Sequence, residues 1–156
     1  MGNSQDIFEA LKEYDTATIF NAVVEDMGAS QGGTELESKG GIPMIYTGPV
    51  IRSLLPGLGR VIGTVVTTEV TPLDPDSKAI PWDEYYDTLD ATAGPIVAVM
   101  KDVDPRPDRG ACFGDGMAGV HRLCGVTGAV VEGVVRDLAG IEDVGLPIWG
   151  TGVVPG

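Results

Sequence analysis

ACFGDGMAGVHRLCGVTGAVVEGVVRDLAGIEDVGLPIW, residues 111–149, decides the fold. Residues 111–113 read as a short strand, Gly114-Asp115-Gly116 as a turn, and 117–123 as a helix closed near Gly125. Residues 129–135 (AVVEGVV) form a near-continuous apolar run, as expected of a parallel strand buried on both faces. Arg136 and Asp137 follow at once. A short helix then runs to Gly145, and 147–149 begin a last strand. Strand, helix, strand, helix, strand predicts an α/β fold whose central sheet is mostly parallel, with crossover helices.

Working towards the N-terminus, residues 96–100 (IVAVM) are a second short apolar run of the buried-strand kind, entered through Gly94-Pro95. Residues 82–91 (WDEYYDTLDA) have the spacing of an amphipathic helix, and 72–81 read as a loop. Residues 61–70 are rich in Val and Thr and predict a strand. Residues 29–42, rich in Gly, Ser and Glu, read as a flexible loop. Before it, a helix from Thr16 or Thr18 to Met27 carries Ile19, Phe20, Val23, Val24 and Met27 at helical spacing, and Gly28 stops it. Asp6 is placed to cap a first helix over 7–13. No repeat or low-complexity tract interrupts the chain, and we expect one domain over 1–156.

The chain has 156 residues, enough to bury a real core. Its 23 acidic and 10 basic residues give a net charge of -13, which argues against nucleic acid as a direct partner, because phosphate binding needs a basic surface. It suits binding of divalent cations. No stretch approaches the ~20 apolar residues of a membrane span. The N-terminus shows no secretory signal, and Asp6 stands where a myristoylation pattern needs Ser or Thr. We therefore expect a soluble cytoplasmic protein. Cys112 and Cys124 fit neither a zinc pattern nor a disulfide scaffold and read as small buried hydrophobes. The single histidine, His121, has no second ligand at metal spacing and reads as a surface or core residue. One histidine and no nucleophile-elbow serine argue against a Ser-His-Asp hydrolase.

In open α/β sheets, ligands bind beyond the carboxyl ends of the strands. Gly114-Asp115-Gly116 stands at one such end and Arg136-Asp137 at the next. If the two strands are neighbours, Asp115, Arg136 and Asp137 converge on one crevice. The backbone N–H groups from Gly114 to Met117, opening a helix, favour a carboxylate or phosphate. Arg136 then offers a permanent positive charge to an anion or developing enolate, Asp137 a hard ligand for Mg²⁺, and Asp115 a group to orient water or assist proton transfer. The plainer alternative is an exposed Arg136–Asp137 ion pair with Asp137 as a helix N-cap. A second alternative is dinucleotide binding: Gly114, Gly116 and Gly119 spell G-x-G-x-x-G, with an acid at Asp137. Against it, Asp115 brings negative charge into the phosphate loop, and too little chain follows for two mononucleotide-binding halves.

Asp115, twenty residues, then Arg136-Asp137 resembles the D-x20-R-D motif of the RraA-like family. That family includes 4-hydroxy-4-methyl-2-oxoglutarate/4-carboxy-4-hydroxy-2-oxoadipate aldolases, oxaloacetate decarboxylases and regulators of ribonuclease activity. TATIFNAVVEDMG (16–28), residues 63–66 and AGPIV (93–97) resemble the family's early helix and two of its strands, so the likeness covers about 16–155. It implies a swivelling-type α/β/α barrel, assembled as a homotrimer or hexamer. It also implies metal-dependent cleavage next to a 2-oxo acid, by retro-aldol reaction or decarboxylation through a pyruvate enolate. By position, Gly114, Asp115, Gly116 and Met117 would bind the substrate carboxylate and Arg136 the enolate oxygen. Asp137 would anchor Mg²⁺, Mn²⁺ or another divalent cation, and Asp115 would hold the water that exchanges protons. The other activity that the likeness implies is non-catalytic regulation of a ribonuclease, or a scaffold role, by protein contact. Two departures stand out. Asn21 replaces a common aspartate, and the family's later strands, with an acidic site residue, have no counterpart before Gly156. The expectation is a short form, or one whose fold a companion chain completes, with Glu132 inside its apolar strand facing solvent or such an interface.

Overall fold

The computed structural model describes residues 4–26, 47–78 and 80–155. The chain divides into two compact units, Met1–Gly48 and Pro49–Gly156. The first contains helices α1 (Ser4–Leu11) and α2 (Thr16–Asp26), as the apolar spacing predicts. Their starts differ from expectation. α1 begins at Ser4, which puts Asp6 inside its first turn rather than before it. α2 is headed by Asp15, whose carboxylate accepts the Thr18 N–H at 2.7 Å. An aspartate one residue ahead of the helix satisfies that orphan donor, so neither threonine is needed as the cap. Met27 and the stretch 29–42 lie outside the described residues.

The second unit holds β1 (Arg52–Ser53), a 3-10 turn (Pro56–Leu58), β2 (Thr64–Val70), α3 (Trp82–Asp90), β3 (Ile96–Asp102), α4 (Asp115–Leu123), β4 (Val126–Val135), α5 (Leu138–Val144) and β5 (Ile148–Val153). The strands form one sheet in the order β1-β5-β4-β3-β2. β2 through β5 are parallel, and β1 alone runs antiparallel, against β5. The fold is thus a mixed α/β one with a mostly parallel sheet. β1 and the 3-10 turn left no trace in the sequence, because two strand residues are too few to show an alternation.

Burial follows the period-2 rule of strands. Ile96, Ala98 and Met100 of β3 are fully buried, while Val97 and Val99 between them are only partly so. Val66, Val126, Ala129, Val131 and Ile148 join the same core, with Tyr85 and Leu89 of α3, Ala118 of α4 and Ile141 of α5. Each large side chain buried there contributes about 1.5–3 kcal/mol of transfer free energy. Glu132, on the other face, is exposed and reaches Lys101 at 3.8 Å across the β3–β4 register. Its place in an apolar strand therefore follows from the pleat.

Two boundaries near the site need correction. Residues 111–113 are not a full strand: Phe113 makes one parallel bridge with Val135, and the Cys112 N–H donates to the Val134 carbonyl at 2.9 Å. The segment pairs with the end of β4 past the point where β3 leaves it, since the β3–β4 register stops at Lys101 and Glu132. α4 starts at Asp115, two residues before the expected Met117, so Asp115 belongs to the first helical turn.

Candidate functional site

The site is built where β4 stops. Val135 is fully buried, and the next two residues emerge into solvent. Arg136 is anchored through its backbone, whose N–H donates to the Phe113 carbonyl at 2.9 Å. That bond ties the β4 end to the start of α4. Its guanidinium Nε lies 3.2 Å from Asp137 Oδ2, and the two side chains are 53% and 46% exposed.

Gly114 brings the third member in. A Cβ added there would stand 3.2 Å from both Cγ and Nε of Arg136 and 3.3 Å from Asp137 Oδ2. A side chain at 114 would push the Arg136–Asp137 pair aside by a few tenths of an ångström, so glycine lets the backbone that opens α4 pass this close. Asp115 follows directly as the first residue of α4. Its own neighbour across the helix pair is Gly140 of α5, and its Oδ1 accepts the Gly116 N–H at 2.6 Å. Gly114, Arg136 and Asp137 are therefore brought together at one strand end, and Asp115 follows next in the chain with its carboxylate against Gly140.

Three features decide what the arrangement can do. First, Asp137 stands at the N-cap position of α5, but its carboxylate makes no cap hydrogen bond. Its backbone is left-handed (φ 56°, ψ 42°), a region that costs most residues free energy and that aspartate tolerates better than most. An N-cap normally has extended backbone and uses its side-chain oxygen on the helix. The capping alternative thus accounts for the position and the ion pair, not for the side chain. Second, the four N–H groups from Gly114 to Met117 are not equivalent. The Gly116 donor is taken by Asp115 Oδ1, whereas those of Asp115 and Met117 donate to no acceptor among the described residues. Third, the last glycine of the fingerprint, Gly119, fails the packing test, while Gly116 is left open. A Cβ at Gly116 or Gly119 would meet nothing within 4 Å. A dinucleotide motif uses those glycines for close approach of phosphate and strand, and the segment before them pairs through only two residues.

Beneath the site lies a histidine whose role the sequence left open. His121 is fully buried, with Phe113, Tyr85 and Tyr86 around its ring at centroid distances of 4.9–5.6 Å. Its Nδ1 lies 2.7 Å from the Met117 carbonyl and its Nε2 2.9 Å from the Tyr85 hydroxyl. A carbonyl can only accept, so Nδ1 carries the proton and Nε2 accepts the Tyr85 O–H. Burial pushes the His121 pKa down and so favours this neutral form, although the Met117 carbonyl pulls it the other way. His121 is therefore a satisfied core residue that braces the first turn of α4.

A second acidic region at the end of β3 was also missed. Asp102 and Asp104 are buried, and their oxygens are filled by backbone donors: Asp104 and Asp108 N–H on Asp102, Arg106 and Leu73 N–H on Asp104. Arg109 approaches Asp104 at 3.5 Å. Burial pushes the Asp104 carboxyl up, but those N–H groups and the Arg109 guanidinium outweigh it and hold it below the usual carboxylate range. The signal that could have found this loop is DVDPRPD (102–108), in which aspartates alternate with turn-forming prolines.

Among the described residues no group of three or more His, Cys, Asp or Glu side chains could hold a metal ion, and no helix is long and apolar enough to cross a membrane. The RraA-like family model, described as Aldolase/RraA, matches residues 16–156. No curated protein matches the sequence. Three solved structures are similar. A protein described as a novel cellulase from microbes associated with the gut ecosystem has 15% identity and a TM-score of 0.68, over 98% of this chain and 60% of its own. An uncharacterized protein from Pseudomonas syringae pv. tomato has 23% identity and a TM-score of 0.63, over 99% and 60%. An unusual member of the RNase ES inhibitor RraA protein family from Streptomyces coelicolor has 23% identity and a TM-score of 0.62, over 96% and 65%. At these identities the likeness is one of fold, and the chain spans 60–65% of the length of these structures.

Proposed function

Since the chain belongs to the RraA-like family, we propose that it is a divalent-metal-dependent lyase that cleaves the carbon–carbon bond next to a 2-oxo acid. The family includes metal-dependent aldolases and decarboxylases as well as ribonuclease inhibitors, and the Arg136–Asp137 pair against Gly114 is the observation that favours the first kind. The substrate carboxylate accepts the free N–H groups of Asp115 and Met117. Arg136, whose guanidinium is tethered among the described residues only through Nε, turns its remaining donors to the keto oxygen, where negative charge develops. With oxaloacetate, the bond from C3 to the departing carboxylate breaks and its electron pair forms the pyruvate enolate as CO₂ leaves. Water held by Asp115 then protonates C3. In a retro-aldol cleavage the water held by Asp115 takes the C4 hydroxyl proton, the C3–C4 bond breaks, and the same enolate forms as an aldehyde or ketone departs.

Asp137 fits a hard cation such as Mg²⁺ or Mn²⁺. Oδ2 is shared with Arg136, and Oδ1 has no hydrogen-bond partner among the described residues. Mg²⁺ keeps several waters and is commonly held by one or two carboxylates plus substrate oxygens. When bound, the ion supplies Lewis-acid polarisation of the keto and carboxylate oxygens. One protein carboxylate holds it weakly, so cation and 2-oxo acid bind together better than either alone. We take the working assembly to be a homotrimer or hexamer in the cytoplasm, in keeping with typical members of the family.

The test is pyruvate release from oxaloacetate by the purified assembly, with the rate of metal alone subtracted. Release that requires Mg²⁺ or Mn²⁺ and is lost in EDTA is expected. No release above the metal-only rate, together with stable capture of a ribonuclease, would favour the other reading, a regulator whose net charge of -13 mimics nucleic acid.

A further inference from the structure

α5 carries a glycine in its middle that its own backbone does not require. Gly140 is absent from the positive-φ residues, and glycine is the poorest helix former after proline. Its surroundings give the reason. A Cβ at Gly140 would lie 2.6 Å from both the Cβ and Oδ2 of Asp115 and 3.0 Å from its Cγ. Real Cβ atoms do not approach neighbours so closely, and the Asp115 Cβ is no mobile tip that could swing aside. Oδ1 of the same carboxylate is held by the Gly116 N–H at 2.6 Å. One oxygen is thus fixed from α4 and the other side of the group rests on α5. Gly119, in the middle of α4, is the natural contrast: a Cβ there would meet nothing within 4 Å.

We infer that Gly140 is a positioning residue that sets the Asp115 carboxylate for its part in proton transfer. The inference rests on the lyase reading for its catalytic half, while the contact itself stands apart from it. A side chain at 140 forces Asp115 outward from its Cβ and strains or breaks the Asp115–Gly116 hydrogen bond, while Arg136 stays tied through its backbone to the Phe113 carbonyl. The expected defect is one of turnover rather than of substrate binding.

The experiment compares Gly140→Ala with Gly119→Ala in the full chain. Both remove a helical glycine, but only the first meets Asp115. Gly119→Ala should keep wild-type kcat and KM. Gly140→Ala should lose on the order of 10–100-fold in kcat, the scale expected when a reacting group is misplaced by about 1 Å, with KM changed less than about twofold. The Gly116 amide resonance in a ¹H–¹⁵N spectrum should move in Gly140→Ala and stay in Gly119→Ala. Wild-type kcat with an unmoved Gly116 amide in Gly140→Ala overturns the inference. If the wild-type chain releases no pyruvate, the lyase reading fails, and the amide shift still decides whether Gly140 sets Asp115. If Gly140→Ala does not fold, Asp115→Gly in the same chain should restore folding by removing the opposing Cβ; failure to restore it counts against the contact.

Discussion

Two Arg–Asp pairs stand at neighbouring strand ends of the same sheet, and they differ in what their carboxylates have left to offer. At the end of β3, Asp104 takes two backbone N–H groups and faces Arg109, with its side chain 4% exposed. At the end of β4, Asp137 pairs, among the described residues, with Arg136 alone, is 46% exposed and does not cap its helix. The first pair is used up in organising the loop from Asp102 to Arg109. Among the described residues the second keeps one carboxylate oxygen and the remaining guanidinium donors unpaired. Composition does not separate the two. Satisfaction of hydrogen-bonding capacity does, and on that difference we propose a structural role for one pair and a chemical one for the other.

The sharpest way to break the contrast is to neutralise each side in turn. Asp137→Asn keeps a residue that tolerates left-handed backbone and removes the charge. Pyruvate release should fall on the order of 100-fold or more, while thermal stability stays within about 0.5 kcal/mol, as expected for an exposed ion pair. Asp104→Ala should behave oppositely. It strands the N–H groups of Leu73 and Arg106 and should cost about 2–3 kcal/mol in denaturant unfolding, with any loss of activity following loss of folded protein. Equal effects of the two substitutions on stability would erase the distinction.

Smaller effects sharpen it. His121 is the chain's single histidine, and burial lowers its pKa from the ordinary 6.5. The unfolded chain therefore binds a proton more readily than the folded one. The stability gained from neutral His121 is complete above pH 6.5 and is lost as pH falls from there through the lowered folded value. Melting temperatures should decline on acidification through that window, and His121→Phe should remove this component of the decline. Least affected should be Cys112. Burial first, then the neighbouring Asp102, pushes its thiol up to about 12. It should resist alkylation at pH 8 in the folded protein, while the half-buried Cys124 reacts first.

Much of the second unit was legible because parallel strands write themselves as apolar runs. IVAVM and AVVEGVV gave β3 and most of β4, and the rule that ligands gather at carboxyl strand ends pointed to Gly114-Asp115 and Arg136-Asp137. What stayed hidden is what depends on a distant partner. DVDPRPD marks a turn, but nothing in it shows that Asp104 accepts the N–H of Leu73, 31 residues away. Nothing near Gly140 in sequence shows that Asp115 rests on it, and nothing near His121 shows that Tyr85 satisfies its ring. The two-residue β1 is defined only by its pairing with β5.

The most direct test of the account is a titration of the chain with oxalate, a flat mimic of the pyruvate enolate, in the presence of Mg²⁺, followed at the backbone amides of Gly114 to Met117. The account predicts saturable shifts at Asp115 and Met117 that need Mg²⁺ and oxalate together and vanish in Asp137→Asn. Shifts that ignore Mg²⁺, or that persist unchanged in Asp137→Asn, would contradict it.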